Sequence, residues 1–108
     1  MISKDLLSEV LEININKIKE VHKVNNIIKI VDTKNMYNDI NIYELANKCK
    51  EWAYEIDFYI YSIFTFAGEG ACYVTKDDEI LKRLATFAGD SEPEAIFKAC
   101  QWILDYQK

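Results

Sequence analysis

Residues 41–66 constrain the fold more than any other stretch. They open as "NIYELANKCKEWAYEI" and, after one aspartate, continue as "FYIYSIFTF". In the first part Ile42, Leu45, Ala46, Cys49, Trp52, Ala53 and Ile56 recur at helical spacing and form one unbroken apolar stripe. Asn41 and Glu44 stand at capping-box spacing, with Asn as the capping residue in place of Ser or Thr. Glu44, Lys48, Glu51 and Glu55 take the opposite face. The second part is aromatic and β-branched, the composition of a strand. Its Phe58, Ile60, Phe64 and Phe66 point one way, and Tyr59, Tyr61 and Ile63 the other. A one-sided helix that runs directly into a strand with an apolar face demands a layered structure in which each buries the other.

The rest of the chain supplies the layers. "AGEG" (67–70) is a turn, "ACYVT" (71–75) the returning strand, and "KDDE" (76–79) the next turn. "ILKRLATFAGD" fits two patterns, because Ile80, Leu81, Leu84 and Ala85 also make a helical stripe. A third antiparallel strand near 82–88 is favoured, since a three-stranded sheet is better covered by the helices on either side. "SEPEAIFKACQWIL" (91–104) is a helix that starts with the capping box Ser91–Glu94 and has Pro93 in its first turn. Ile96, Ala99, Cys100 and Ile103 form its buried stripe. At the other end, "SKDLLSEVLE" (3–12) reads as a short helix capped by Ser3. Strands follow near 17–24 and 27–32, joined at Asn25-Asn26, two residues that tolerate positive φ. Residues 32–41 read as a polar connection. The expectation is a single α+β domain over residues 1–108, order α-β-β-α-β-β-β-α, whose antiparallel sheet is covered by helices 42–56 and 92–106.

Composition narrows the function. The 108 residues are half apolar, with three glycines and one proline, which suits one domain of regular elements with short connections. No apolar run approaches the ~20 residues of a membrane span, and the first residues lack a signal-peptide pattern, so a cytoplasmic protein is expected. The net charge is −5 and lies entirely in the second part of the chain. Residues 1–43 hold six acids and six lysines, whereas residues 44–108 hold twelve acids and seven Lys or Arg. Such a surface is a poor match for a phosphate backbone. It suits solubility, or a protein partner with a basic surface.

Residues that carry chemistry are few. The three cysteines, Cys49, Cys72 and Cys100, are widely spaced and form no C-x-x-C. Free buried thiols are expected rather than disulfides or zinc ligands. His22, the sole histidine, stands among lysines on a candidate strand and reads as solvated rather than as a general base. Cys72 follows a turn and could be partly exposed, but its sequence neighbours Glu69, Asp77, Asp78 and Glu79 are acidic and would not activate a thiolate. "AGEGA" lacks the lysine and the following helix of a phosphate loop, and Asp77-Asp78-Glu79 does not match a calcium loop. No catalytic residue, metal or cofactor is expected.

The aromatic content is high, with seven Tyr, five Phe and two Trp. Tyr59, Tyr61 and Tyr73 share one sheet face on this assignment. Either the N-terminal segment packs on them, or they form an exposed Tyr-rich surface beside negative charge, a composition common at binding hot spots. The candidate partner-binding set is Tyr59, Tyr61, Tyr73, Glu69, Asp77, Asp78, Glu79 and Trp102.

The ending "FAGDSEPEAIFKACQWIL" resembles the C-terminal motif of small phage and prophage proteins, some called phage ABA-sandwich domains. The resemblance rests on Asp90, Ser91, Pro93, Glu94, Ala95, Ile96, Lys98 and Ala99. Trp102 stands where that pattern usually shows Ala or Cys. "NIYELANKCKEWA" resembles the first helix of the same proteins, so the likeness covers about residues 41–106. It implies a phage-type accessory protein with helix–sheet–helix layering, and no catalytic residues. A non-catalytic protein-interaction module follows as the expected function, with an inhibitor of a host defence complex of the anti-CRISPR type as one concrete form. The alternative is a small-ligand or nucleotide binder that uses the Tyr-rich face.

Overall fold

The computed structural model describes residues 1–63, 69–76 and 83–107. The elements run α1 (Lys4–Leu11), a 3-10 turn (Ile15–Lys17), β1 (Ile18–Val24), β2 (Ile27–Asp32), β3 (Tyr37–Asn41), α2 (Ile42–Glu55), β4 (Phe58–Ile63), β5 (Gly70–Lys76), β6 (Ala85–Gly89) and α3 (Glu92–Tyr106). The fold is α+β, as expected. Two features differ from the sequence reading. There are two antiparallel sheets instead of one, β1-β2-β3 and β4-β5-β6. The supposed polar connection also contains a strand, β3, which makes the order α-β-β-β-α-β-β-β-α.

Local chemistry explains the additional strand. The Asp32 carboxylate accepts from the backbone N–H of Lys34 and of Met36 at 2.8 and 2.9 Å. It thereby reverses the chain. Tyr37–Asn41 then pairs with β2 from Val31↔Tyr37 to Ile27↔Asn41. Only Ile40 of this edge strand is even partly buried, so main-chain bonds hold it and no hydrophobic alternation announces it. Asn41 ends β3 and caps α2 in the same residue, its side chain accepting from Tyr43 N–H. With no residue between strand and helix, the chain leaves the first sheet there, and β4 founds a second.

The sequence-level caps hold. Ser3, Asn41 and Ser91 each accept a backbone N–H at the start of their helices. Asn25 takes φ 55° in the β1–β2 turn. At the end of α2 the N–H groups of Ile56 and Asp57 return to the carbonyls of Ala53 and Tyr54. Asp57, at φ 68°, then turns the chain into β4.

One contiguous core joins all three helices to both sheets. It includes Leu6 and Leu7 of α1, Ile28 and Ile30 of β2, Leu45 and Cys49 of α2, Phe58 and Val74 of the second sheet, and Ile96, Cys100 and Ile103 of α3. In the second sheet Phe58, Ile60, Cys72 and Val74 face the helices. There α2 lies against β4, α3 against β5 and β6, and the two helices against each other. Both helices therefore cover one face of this sheet, in place of the helix–sheet–helix layering that the family resemblance implies. The smallest dimension, 17 Å, fits one helical layer on one sheet layer. Among the described residues no helix is long and apolar enough to cross a membrane.

Candidate functional site

Strand alternation sends Tyr59, Tyr61 and Tyr73 to the face of the second sheet that the helices leave uncovered. Tyr61 and Tyr73 are direct cross-strand partners. Their rings stack at 5.3 Å with 25° between planes. The Arg83 guanidinium lies 4.1 Å from the centre of the Tyr73 ring, a cation–π contact that sequence reading missed. Tyr59 meets Tyr54 of α2 edge to face at 5.4 Å. Each of these three sheet tyrosines is half-buried. Thr75, on the same face, is fully buried and its hydroxyl has no hydrogen-bond partner among the described residues. The N-terminal helix does not lie here; α1 packs on α2 and α3.

Beside this face runs a cleft of about 500 Å³, lined by Lys50, Glu51, Tyr54 and Glu55 of α2 and by residues 58–61 of β4. Its floor is aromatic and aliphatic. Its rim carries the two carboxylates Glu51 and Glu55, one helical turn apart and both exposed. Sequence reading placed this glutamate pair on the outer face of α2 but assigned it no role. The pair repels itself weakly, and its position over a strand edge became visible only with the tertiary arrangement.

The remaining candidates do not gather at this place. Trp102 lies on α3, on the helix side of the sheet. It stacks on Tyr106 at 5.1 Å and leans on Phe87 at 6.2 Å, so it is a flank of the core and not part of the Tyr face. Glu69 is exposed just before β5. Asp77, Asp78 and Glu79 lie outside the described residues.

Cys72, whose place after a turn left partial exposure open, is fully buried, as are Cys49 and Cys100. The Cys72 thiol donates to the Ala95 carbonyl at 3.4 Å, and burial pushes its pKa up to about 11. The Cys100 thiol is held above the ordinary thiol range by its hydrogen bond with Cys49 and by burial. His22 is exposed and 3.0 Å from Glu20, and that hydrogen bond lowers the pKa of Glu20. Among the described residues no cluster of His, Cys, Asp and Glu could hold a metal.

A pH-dependent stability follows from the thiols. The fold favours the neutral Cys72 thiol, so its contribution is whole below pH 9, the ordinary value, and is lost as pH rises through about 11. Unfolding in urea should show stability falling between these pH values, with Cys72 supplying about 2 kcal/mol of the fall. A Cys72→Ala variant should show a correspondingly shallower decline. In the native protein at pH 8, labelling of all three cysteines should be roughly a hundredfold slower than in urea. Rapid native labelling would contradict their burial.

The fold and site define a small α+β protein with an aromatic, acid-rimmed cleft at a sheet edge. No protein-family model, curated protein or solved structure matches the chain.

Proposed function

We propose that this chain is a non-catalytic protein-interaction module of the cytoplasm that docks on a protein partner whose surface is basic. The observation that carries the proposal is the cleft between α2 and β4, in which an apolar, Tyr-lined floor lies under the carboxylates of Glu51 and Glu55. Tyrosines present large contact area at low entropy cost, and acidic rims steer a basic partner and set its orientation. The acidic balance of residues 44–108 disfavours direct nucleic-acid binding. Catalysis has little support, since all three thiols are buried and burial pushes the Cys72 pKa up. The small-ligand alternative loses ground because Tyr73 is already engaged by Tyr61 and Arg83. A phage or prophage accessory role, with inhibition of a host defence complex as its concrete form, belongs to the same proposal and rests on the resemblance of the two helices.

Salt and charge reversal test the reading. A pull-down from host lysate should recover the partner at low ionic strength and lose much of it at high ionic strength. For the recovered partner, Glu51→Lys with Glu55→Lys should weaken binding about tenfold or more at low salt. The melting temperature should change little, because both side chains are exposed. Unchanged binding at low salt would remove the acidic docking site.

A further inference from the structure

The cleft contains a sheet edge, and the hydrogen-bond pattern shows which main-chain groups stand on it. The sheet order places β4 at one end, with β5 on one side and no strand on the other among the described residues. The Val74 carbonyl of β5 accepts from Leu84 N–H at 2.8 Å, so Val74 directs its main chain toward β6. In an antiparallel sheet the same residue cannot also bond to its other neighbour. Its cross-strand neighbour on β4, Ile60, therefore turns its own N–H and C=O away from β5. By alternation Phe58 and Ser62 do the same. Phe58 is 2% exposed, so its main chain is covered; Ile60 and the exposed Ser62 are left to present donor–acceptor pairs on the outer edge of β4 where the α2 cleft opens. Their side chains point to the helix face, as the bond from Ser62 Oγ to Glu92 on α3 at 3.0 Å shows.

We infer that the outer edge of β4 is a strand-addition site that takes an extended basic segment of the partner as a fourth strand, through the outward main-chain groups of Ile60 and Ser62 under the Glu51–Glu55 rim. This rests on the protein-binding reading and names the form of the bound partner. An extended chain is the ligand that matches a row of strand donors and acceptors. The rim sets its charge: two carboxylates against Lys50 favour Lys or Arg on the side facing α2. The same charge disfavours a second copy of this chain, whose net charge is −5 and which would bring its own glutamates to the rim. Directly opposed residues on adjacent strands point their side chains to the same face. The basic residues of the incoming strand therefore stand opposite Ile60 and Ser62, and their main-chain groups make the bonds to β4.

The probe is an eight-residue capped peptide of alternating Lys and Val, added to the full chain. It should slow amide hydrogen exchange at Ile60 and Ser62 about tenfold or more. Methylating the lysine amides should abolish this protection, whereas methylating the valine amides should spare it. Ser62→Pro removes one outward donor at an exposed edge position and should lower peptide affinity about tenfold. Ser62→Ala, which loses only the bond to Glu92, should bind normally. Peptide binding without protection of the Ile60 and Ser62 amides overturns strand addition while leaving the protein-binding reading intact. No binding by the peptide at millimolar concentration also overturns it, as does concentration-dependent self-association that protects the same amides without peptide. Failure of the charge reversals against the lysate partner would instead tell against the broader reading.

Discussion

Gly70→Ala destabilises the protein by at least about 3 kcal/mol, which for a chain of this size lowers the melting temperature by about 10 °C or more. Gly70 opens β5 opposite Gly89 of β6. A Cβ at residue 70 would lie 2.0 Å from the carbonyl carbon of Ser91, 2.1 Å from the nitrogen of Glu92 and 2.2 Å from the oxygen of Ser91. All three are backbone atoms at the start of α3, so no flexible side chain can swing aside. To restore ordinary contact the first turn of the helix has to retreat by more than 1 Å. That would disturb the Ser91 cap, the buried Pro93 and the seat of Ala95 under Cys72. Urea unfolding of Gly70→Ala beside the parent measures the effect. A loss below about 1 kcal/mol would show that α3 does not approach β5 so closely.

Ile96→Ala should cost about 2–5 kcal/mol. Ile96 is 2% exposed and belongs to the common core. It sits between the second sheet and the other helices, where neighbours from several elements hold the cavity open and limit its collapse. A loss of this size is a large part of the 5–15 kcal/mol that small domains possess. The variant should therefore melt about 10–25 °C lower and remain folded at low temperature only if the parent lies at the upper end of that range. The check is a thermal melt followed by circular dichroism. A drop of only a few degrees would mean that the apolar stripe of α3 is not the side it buries.

The legibility of the fold tracks how one-sided each element is. The stripe from Ile42 to Ile56, the Ser91 capping box and the alternation of β4 were readable because burial imposes a period on residues. The strand expected near 82–88 on an argument of economy is β6 at 85–89, although only its odd positions are even partly buried. Residues 37–41 gave no such signal. Their strand is held by backbone bonds to β2, and Asn38, Asp39 and Asn41 argue locally against a strand. The partition into two sheets was equally hidden, because it depends on Asn41 serving both as the end of a strand and as a helix cap. At the site, the Tyr61–Tyr73 pairing followed from strand register and could be anticipated. The Arg83 contact and the placement of Glu51 and Glu55 over the β4 edge depend on how the chain turns between neighbouring elements, which the period within each element does not fix. Trp102 stands at the edge of its stripe, and a helical wheel does not reveal which side of a sheet the helix will occupy.

The Ser3 hydroxyl that caps α1 also donates to the Gln101 side chain of α3, 98 residues away, and α1 lies against both α2 and α3. During synthesis on the ribosome α1 is therefore made early and seated late. The two meanders of strands can pair as they emerge, since their contacts are local, but α1 has to wait for α3 before its apolar side is fully covered. Closing that long loop makes the contact of α1 with α3 a late one, and the part of α1 that α3 covers stays open to other apolar surfaces until the last helix has been released.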